Sequence, residues 1–329
     1  MKPLQNSTKN SVKDNTKAEK IATRAAYGAS LLELGETNKD IVVLDADLSK
    51  STTTRKFADK FPERFFNMGI AEANMMGTAA GLASCGKIVF VSTFAIFATG
   101  RAWEQIRNTI CYCGLNVKIA ATHAGLGVGP DGASHQMNED IAIMSSIPNM
   151  TVIEPCDGPE TKRAVAAIAK WDGPVYMRLG RPPVTVITDE DHSFEIGKGI
   201  SFRKGNDVTI IACGALVEMA IEAADVLSSK GIEASVINMH TIKPLDKEIV
   251  LNAAKDTGAI VTAEQHLLDG GLGSTVASFL ARECPVRIEM IGIDNRFGQS
   301  GDPKLLFKEY NITTECIIEA AKKVVKEKR

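Results

Sequence analysis

Val117-Lys-Ile-Ala-Ala-Thr-His-Ala-Gly-Leu-Gly-Val-Gly-Pro-Asp-Gly-Ala-Ser-His-Gln136 runs from an apolar segment straight into a glycine-rich loop. The segment Val117–Ala121 reads as a buried strand. The loop that follows carries His123, Asp131 and His135, and its four glycines let the backbone come close to a ligand. A strand that opens into a polar, flexible loop is where α/β proteins place their chemistry.

Working outward, short runs rich in β-branched residues predict strands at 41–44, 88–91, 117–121, 151–154 and 175–178. A second series falls at 208–213, 234–239, 259–263 and 287–293. Helical segments are expected near 18–36, 72–84, 98–112, 138–146, 159–170, 216–230, 246–256, 273–283 and 313–327. Strands that alternate with helices imply mostly parallel sheets covered on both faces. The alternation breaks between 181 and 206, where Pro182-Pro183, several glycines and the acidic run 189–191 read as an interdomain connection. We therefore expect an α/β domain at 18–190, a smaller α/β domain at 196–327, and a disordered polar tail at 1–17.

Bulk properties narrow the function classes. The 329 residues are 44% hydrophobic and 24% charged, with a net charge of −2. That balance gives no electrostatic footprint for nucleic acid, and no apolar run reaches membrane-span length. The tail lacks the apolar core of a secretory signal, and we expect a cytoplasmic protein. Seven scattered cysteines, mostly inside apolar segments, read as buried reduced thiols, and Cys111-Tyr-Cys113 alone is not a metal site. Neither Gly125–Gly129 nor Gly270-Gly-Leu-Gly273 completes a dinucleotide fingerprint; a close helix–strand turn explains the second.

Several polar or aromatic residues stand at strand exits. Glu72 is the only Asp, Glu, Lys, Arg or His between Arg64 and Lys87, and it starts a small-residue helix that reads as buried on nearly every face. A carboxyl among Phe, Met and Ala needs a reason, because unpaired buried charge is costly. Phe94 and Phe97 follow one strand, Asp47 and Ser51 another, and Arg178 and Arg181 a third. Capping, core packing and surface pairs explain each residue alone. Their shared placement after separate strands favours a site.

These residues also resemble a known family. The chain is similar to the C-terminal half of a transketolase from about residue 18 onward. The likeness rests on AxRxA around Arg24, DADLSKST (45–52), FFNMGIAEANM (65–75), STFAIF (92–97), the 122–136 loop and the Glu-Pro at 154. It continues in INMHTIKPLD (237–246), EQHLLDGGLGS (264–274) and GIDNRFGQSG (292–301). The resemblance implies a pyrimidine-binding domain followed by a transketolase C-terminal domain, and an enzyme that uses thiamine diphosphate. The family's diphosphate-binding domain has no counterpart here, which implies an N-terminal partner subunit that holds the diphosphate and its magnesium or calcium ion, in a heterotetramer of two of each chain.

The resemblance also implies roles. Glu72 would bond the aminopyrimidine ring nitrogen of the cofactor, with Phe94, Phe97 and Asp47 around it. His135 would stand at the reacting end of the substrate and Asp131 at a sugar hydroxyl. Arg24, Ser51, His123 and Arg181 would hold the sugar phosphate, with Arg181 favoured over Arg178. The family often has a third aromatic where this chain has Gly100. The implied reaction is reversible two-carbon ketol transfer from a ketose phosphate to an aldose phosphate.

Two rivals share the architecture. The beta subunit of a 2-oxo acid dehydrogenase carries one histidine in the equivalent loop, without the initial Thr-His. A 1-deoxyxylulose-5-phosphate synthase is one long chain with an Asp-Arg pair where this one has Thr122-His123. A non-catalytic relative is the reading from another class, and the presence of Glu72 speaks against it.

Overall fold

Alternate residues of Ile41-Val-Val-Leu-Asp45 feed two different cores. Val42 and Leu44 pack with Met75, Met76 and Ala79 of the helix Glu72–Ser84. Ile41 and Val43 pack with Tyr27 and Leu31 of Thr23–Thr37 and with Val165 and Ile168 of Gly158–Lys170. A strand buried on both faces is what a parallel sheet between helices requires.

The computed structural model describes residues 19–189 and 192–328; the expected tail at 1–17 lies outside them. Among the described residues there are fourteen strands: β1 (Lys20–Ala22), β2 (Ile41–Asp45), β3 (Phe65–Asn67), β4 (Ile88–Phe94), β5 (Val117–Thr122), β6 (Thr151–Ile153), β7 (Val175–Arg178), β8 (Pro183–Thr185), β9 (Ile200–Arg203), β10 (Val208–Ala212), β11 (Ala234–Asn238), β12 (Thr241–Lys243), β13 (Ala259–Leu267) and β14 (Arg287–Ile293). The first sheet has the order β12-β6-β7-β5-β4-β2-β3 and the second β14-β13-β10-β11-β9. Both are mostly parallel; β12 and β9 are the antiparallel edge strands. The fold is the expected α/β arrangement.

Four expectations need correction. The segment 18–36 does not begin as helix: β1 comes first, because Lys20–Ala22 pairs antiparallel with Pro183–Thr185. The segment 98–112 is not one helix. Ala95–Arg101 is α-helical, and Gln105–Cys111 is a wider turn in which Tyr112 N–H donates to Arg107 O. The helix Glu72–Ser84 is not buried all round: Asn74, Gly77 and Gly81 form an exposed face of small residues. Among the cysteines, Cys85 and Cys113 are exposed rather than buried; all seven are free thiols.

The two sheets meet at a buried guanidinium. Arg178, at the end of β7, is 1% exposed. Its Nε donates to Asp140 Oδ2 (2.8 Å) and its Nη1 to Glu154 Oε1 (2.7 Å). Its Nη2 donates to the carbonyls of Met137 (3.2 Å) and Gln265 (2.9 Å). Tyr176 Oη donates to the same Asp140 oxygen, and Cys213 Sγ donates to Glu154 Oε2. The adjacent carboxylates hold the guanidinium charged despite its burial. Arg178 thus fastens β7, the strand end after β6, the end of the 122–136 loop and β13 to one another.

The second sheet also braces that loop from behind. Gln136 Nε2 donates to Gln299 O (3.0 Å), and Gln265 fills the space beside Gly125. Gly125 has φ of 70°, and a Cβ there would lie 2.2 Å from Gln265 Oε1, so only glycine fits. The Gly270–Gly273 cluster serves packing: Glu264 accepts from Leu272 N and Gly273 N at 2.7 and 2.8 Å and caps the helix Leu272–Glu283.

Arg178→Met leaves two buried carboxylates without their counter-charge. It is expected to lower unfolding free energy by about 3–5 kcal/mol, read from urea denaturation of the isolated chain. A loss under about 1 kcal/mol would show that the network does not hold the two sheets together.

Candidate functional site

The carboxyl ends of β2, β3, β4, β5 and β7 point the same way, because these strands run parallel. Each delivers one part of a shared cleft. Strand β4 ends at Phe94 and runs directly into the helix that carries Phe97. Strand β5 ends at Thr122, and His123 turns away with φ of 59°. Beyond β7 the chain presents Arg181, and Asp47 lies beyond β2.

Ring contacts join these exits. Phe94 stacks on His123 with centroids 3.8 Å apart and on Phe97 at 5.7 Å. His135 meets Phe97 edge-on at 5.6 Å and Phe94 at 6.2 Å. The two loop histidines, twelve positions apart in sequence, therefore share one aromatic wall. Thr122 Oγ1 bonds His123 Nδ1 (2.8 Å), and Ser134 Oγ bonds His135 Nδ1 (3.0 Å).

One flank of the cleft is cationic. Arg24 Nη1 donates to Ser51 O (2.6 Å), and its Nε donates to Arg181 O (3.3 Å). Arg181 Nη1 donates to Val128 O (2.6 Å) and meets Asp131 Oδ1 at 3.2 Å. Burial and the neighbouring Arg181 charge depress the pKa of Arg24. Burial, reinforced by Arg24, Arg181 and His135, lowers His123 to about 3. His123 is therefore a neutral imidazole at physiological pH, and the positive charge resides on the arginines. Two guanidiniums held this close, with only Asp131 paired to one of them, form a setting that an anion relieves.

The other flank is a slot around Glu72. This carboxylate is 3% exposed and begins its helix. Arg101 bridges it to the face of the Phe97 ring, and a side chain at Gly100, beside Arg101 in sequence, would meet open space. A buried carboxylate beside a phenyl face is a fitting seat for a flat, hydrogen-bonding heteroaromatic ring, so the residues present suit an aminopyrimidine.

The structure thus brings together Glu72, Phe94, Phe97, His123, Asp131, His135, Arg24 and Arg181. Ser51 joins through its backbone carbonyl. Asp47 sits at the rim, where it accepts from Asn67 Nδ2 (2.9 Å). Arg178 is not in the cleft; its burial leaves Arg181, 37% exposed, as the arginine that reaches it. Sequence reasoning missed Arg101. It donates to Glu72 Oε1 and Oε2 at 3.1 and 3.3 Å and lies 4.1 Å over the Phe97 ring. Its place four residues after Phe97 on a helix was the available signal.

The profile described as "Transketolase, pyrimidine binding domain" matches residues 19–185, and "Transketolase, C-terminal domain" matches 197–317. A "Putative transketolase C-terminal section" from Methanocaldococcus jannaschii is 51% identical, over 92% of this chain and 95% of that protein. The "6-deoxy-6-sulfo-D-fructose transketolase subunit SqwH" of Clostridium sp. (strain MSTE9) is 42% identical, over 95% and 97% of the respective chains. A solved structure titled "Split gene transketolase, inactive beta4 tetramer" is 52% identical with a TM-score of 0.89, covering 94% of this chain and 100% of that one. No helix among the described residues is long and apolar enough to cross a membrane.

The neutrality of His123 has a pH consequence. Between its ordinary value of 6.5 and about 3, the unfolded chain binds a proton that the folded chain refuses. Folding stability therefore falls as pH drops below 6.5. His123→Gln should make the stability–pH curve shallower over that window, by up to about 2 kcal/mol at pH 5. Urea unfolding at pH 7 and pH 5 measures the difference, and identical slopes for both proteins would refute a buried neutral His123.

Proposed function

The chain belongs to the transketolase family, and on that premise we propose that it is the C-terminal subunit of a two-chain transketolase. It catalyses reversible two-carbon ketol transfer between a ketose phosphate and an aldose phosphate. The observation that carries this reading is the continuity of the cleft. A buried carboxylate slot, an aromatic wall with two histidines, and a cationic flank lie in sequence along one sheet edge.

Thiamine diphosphate, when bound, supplies the nucleophilic carbon and the electron sink that carbon–carbon cleavage needs. Glu72 holds a proton at the pyrimidine ring nitrogen, and its burial keeps water from competing for it. Phe97 and Phe94 orient the ring by stacking, with Asp47 at the rim of the same seat. His135 moves a proton at the substrate's carbonyl or terminal hydroxyl oxygen. Asp131 accepts from a sugar hydroxyl. Arg24 and Arg181 neutralise the phosphate, while His123 and Ser51 contribute hydrogen bonds without charge.

The diphosphate and a magnesium or calcium ion are assigned to an N-terminal partner, in a cytoplasmic heterotetramer of two of each chain. The exposed small-residue face of Glu72–Ser84 supports a partner surface. Nothing lies within 4 Å of a Cβ built on Gly77 or Gly81, and Ile70, just before this helix, is 76% exposed. The match to a split-gene transketolase structure points the same way. Pentose phosphates are the proposed substrates. A relative named for a sulfonated ketose carries the same architecture, and Arg24 with Arg181 suits either anion.

Co-expression with the N-terminal subunit, followed by a donor–acceptor screen with thiamine diphosphate and magnesium, tests the reading. Glu72→Ala should lower ketol transfer by about 10³-fold or more in the reconstituted pair. Full activity in that variant, or full activity of this chain alone, would overturn the assignment. Gly77→Leu with Gly81→Leu should leave the melting temperature of the free chain unchanged or slightly raised, since both glycines are exposed helix positions. The same pair should abolish co-purification with the partner. Retained co-purification would move the interface elsewhere.

A further inference from the structure

Arg101 is not used by the chemistry above, yet it makes the closest polar contacts to its key carboxylate. It is the last residue of the helix Ala95–Arg101, and its side chain is 51% exposed while that of Glu72 is 3% exposed. The guanidinium edge donates to both Glu72 oxygens, and the guanidinium face lies 4.1 Å over the Phe97 ring. Next to it, Gly100 leaves open space.

A guanidinium is flat, rich in donors at its edge and attracted by its face to aromatic rings. Those are the two contacts that an aminopyrimidine would make in this slot: an edge on Glu72 and a face on Phe97. The ring and the guanidinium cannot hold both at once. We propose that Arg101 is a built-in competitor for the pyrimidine seat, closing the slot in the chain alone and leaving it as the cofactor enters. This inference rests on the assignment of Glu72 to the pyrimidine.

The physical logic has two parts. Without Arg101, a nearly buried carboxylate would stand uncompensated, which is costly. With Arg101, the charge is paired, and the half-exposed stem lets the guanidinium withdraw to water without uncovering the core. The cofactor then binds only the fraction of molecules in which the latch is open, so its apparent affinity is reduced by that fraction.

The test is a calorimetric titration of thiamine diphosphate with magnesium into the assembled two-chain enzyme, using wild type, Arg101→Ala, Arg101→Lys and Glu72→Ala. Trp103, two residues along, gives a fluorescence signal for the rate of loading. Arg101→Ala is expected to tighten binding about ten-fold and to load faster. Arg101→Lys should fall between, because an ammonium keeps the charge near Glu72 but lacks the flat face that lies over Phe97. Unchanged or weaker binding by Arg101→Ala, with binding still lost in Glu72→Ala, overturns the latch and leaves the assignment of Glu72 intact. Unaltered binding in Glu72→Ala overturns that assignment and the latch together.

Discussion

The buried guanidinium of Arg178 is the interaction on which the geometry of the cleft depends. Taking a charge out of water is expensive unless every donor is matched. Here two carboxylates and two backbone carbonyls match it, and these come from three different parts of the chain, 137–140, 154 and 265. One partner is Met137 O, directly after the 122–136 loop, and another is Gln265 O, in the second sheet. The loop's closing end is therefore fixed by a contact that no histidine or glycine of the loop makes. The cleft inherits its shape from a charge that it does not contain.

Charge is distributed in the cleft by burial rather than by residue type. His123 lies deepest, against Phe94, and is driven neutral by desolvation and by the two arginines. The arginines stay at the opening, where water and backbone carbonyls moderate their repulsion. The result is a graded wall, with cationic arginines at the mouth and the neutral imidazole of His123 behind them. That grading suits the phosphorylated substrate proposed above, whose anionic end would face the arginines.

Much of this was legible in the sequence, for physical reasons that particular residues make plain. Val117–Ala121, Ile41–Leu44 and their counterparts are apolar runs bounded by turn-formers, so the nine principal strands could be read locally. Glu72, His123, His135 and Arg181 stand at strand exits, where a parallel sheet gathers its chemistry. Strands β1, β3, β8 and β12 are three residues long and none is β-branched throughout, as the equally short β6 is, and their pairing partners are distant in sequence. Arg101 looked like part of a longer amphipathic helix, because its partner Glu72 is 29 positions away. The sequence favoured Arg181 over Arg178 but left the register open, and burial separates the two.

Strand β12 bears on how the two halves of the chain belong together. Thr241–Lys243 comes from the segment that follows β11 of the second sheet, yet it pairs antiparallel with β6 at the rim of the first. Lys243 Nζ strengthens this by donating to the carbonyls of Ser145 and Ile147. A rim strand with free backbone groups is a template for unwanted association. Here the second half covers the rim of the first, so a chain divided near residue 190 would expose a sticky edge. A break between the two sheets would leave a fragment prone to aggregate.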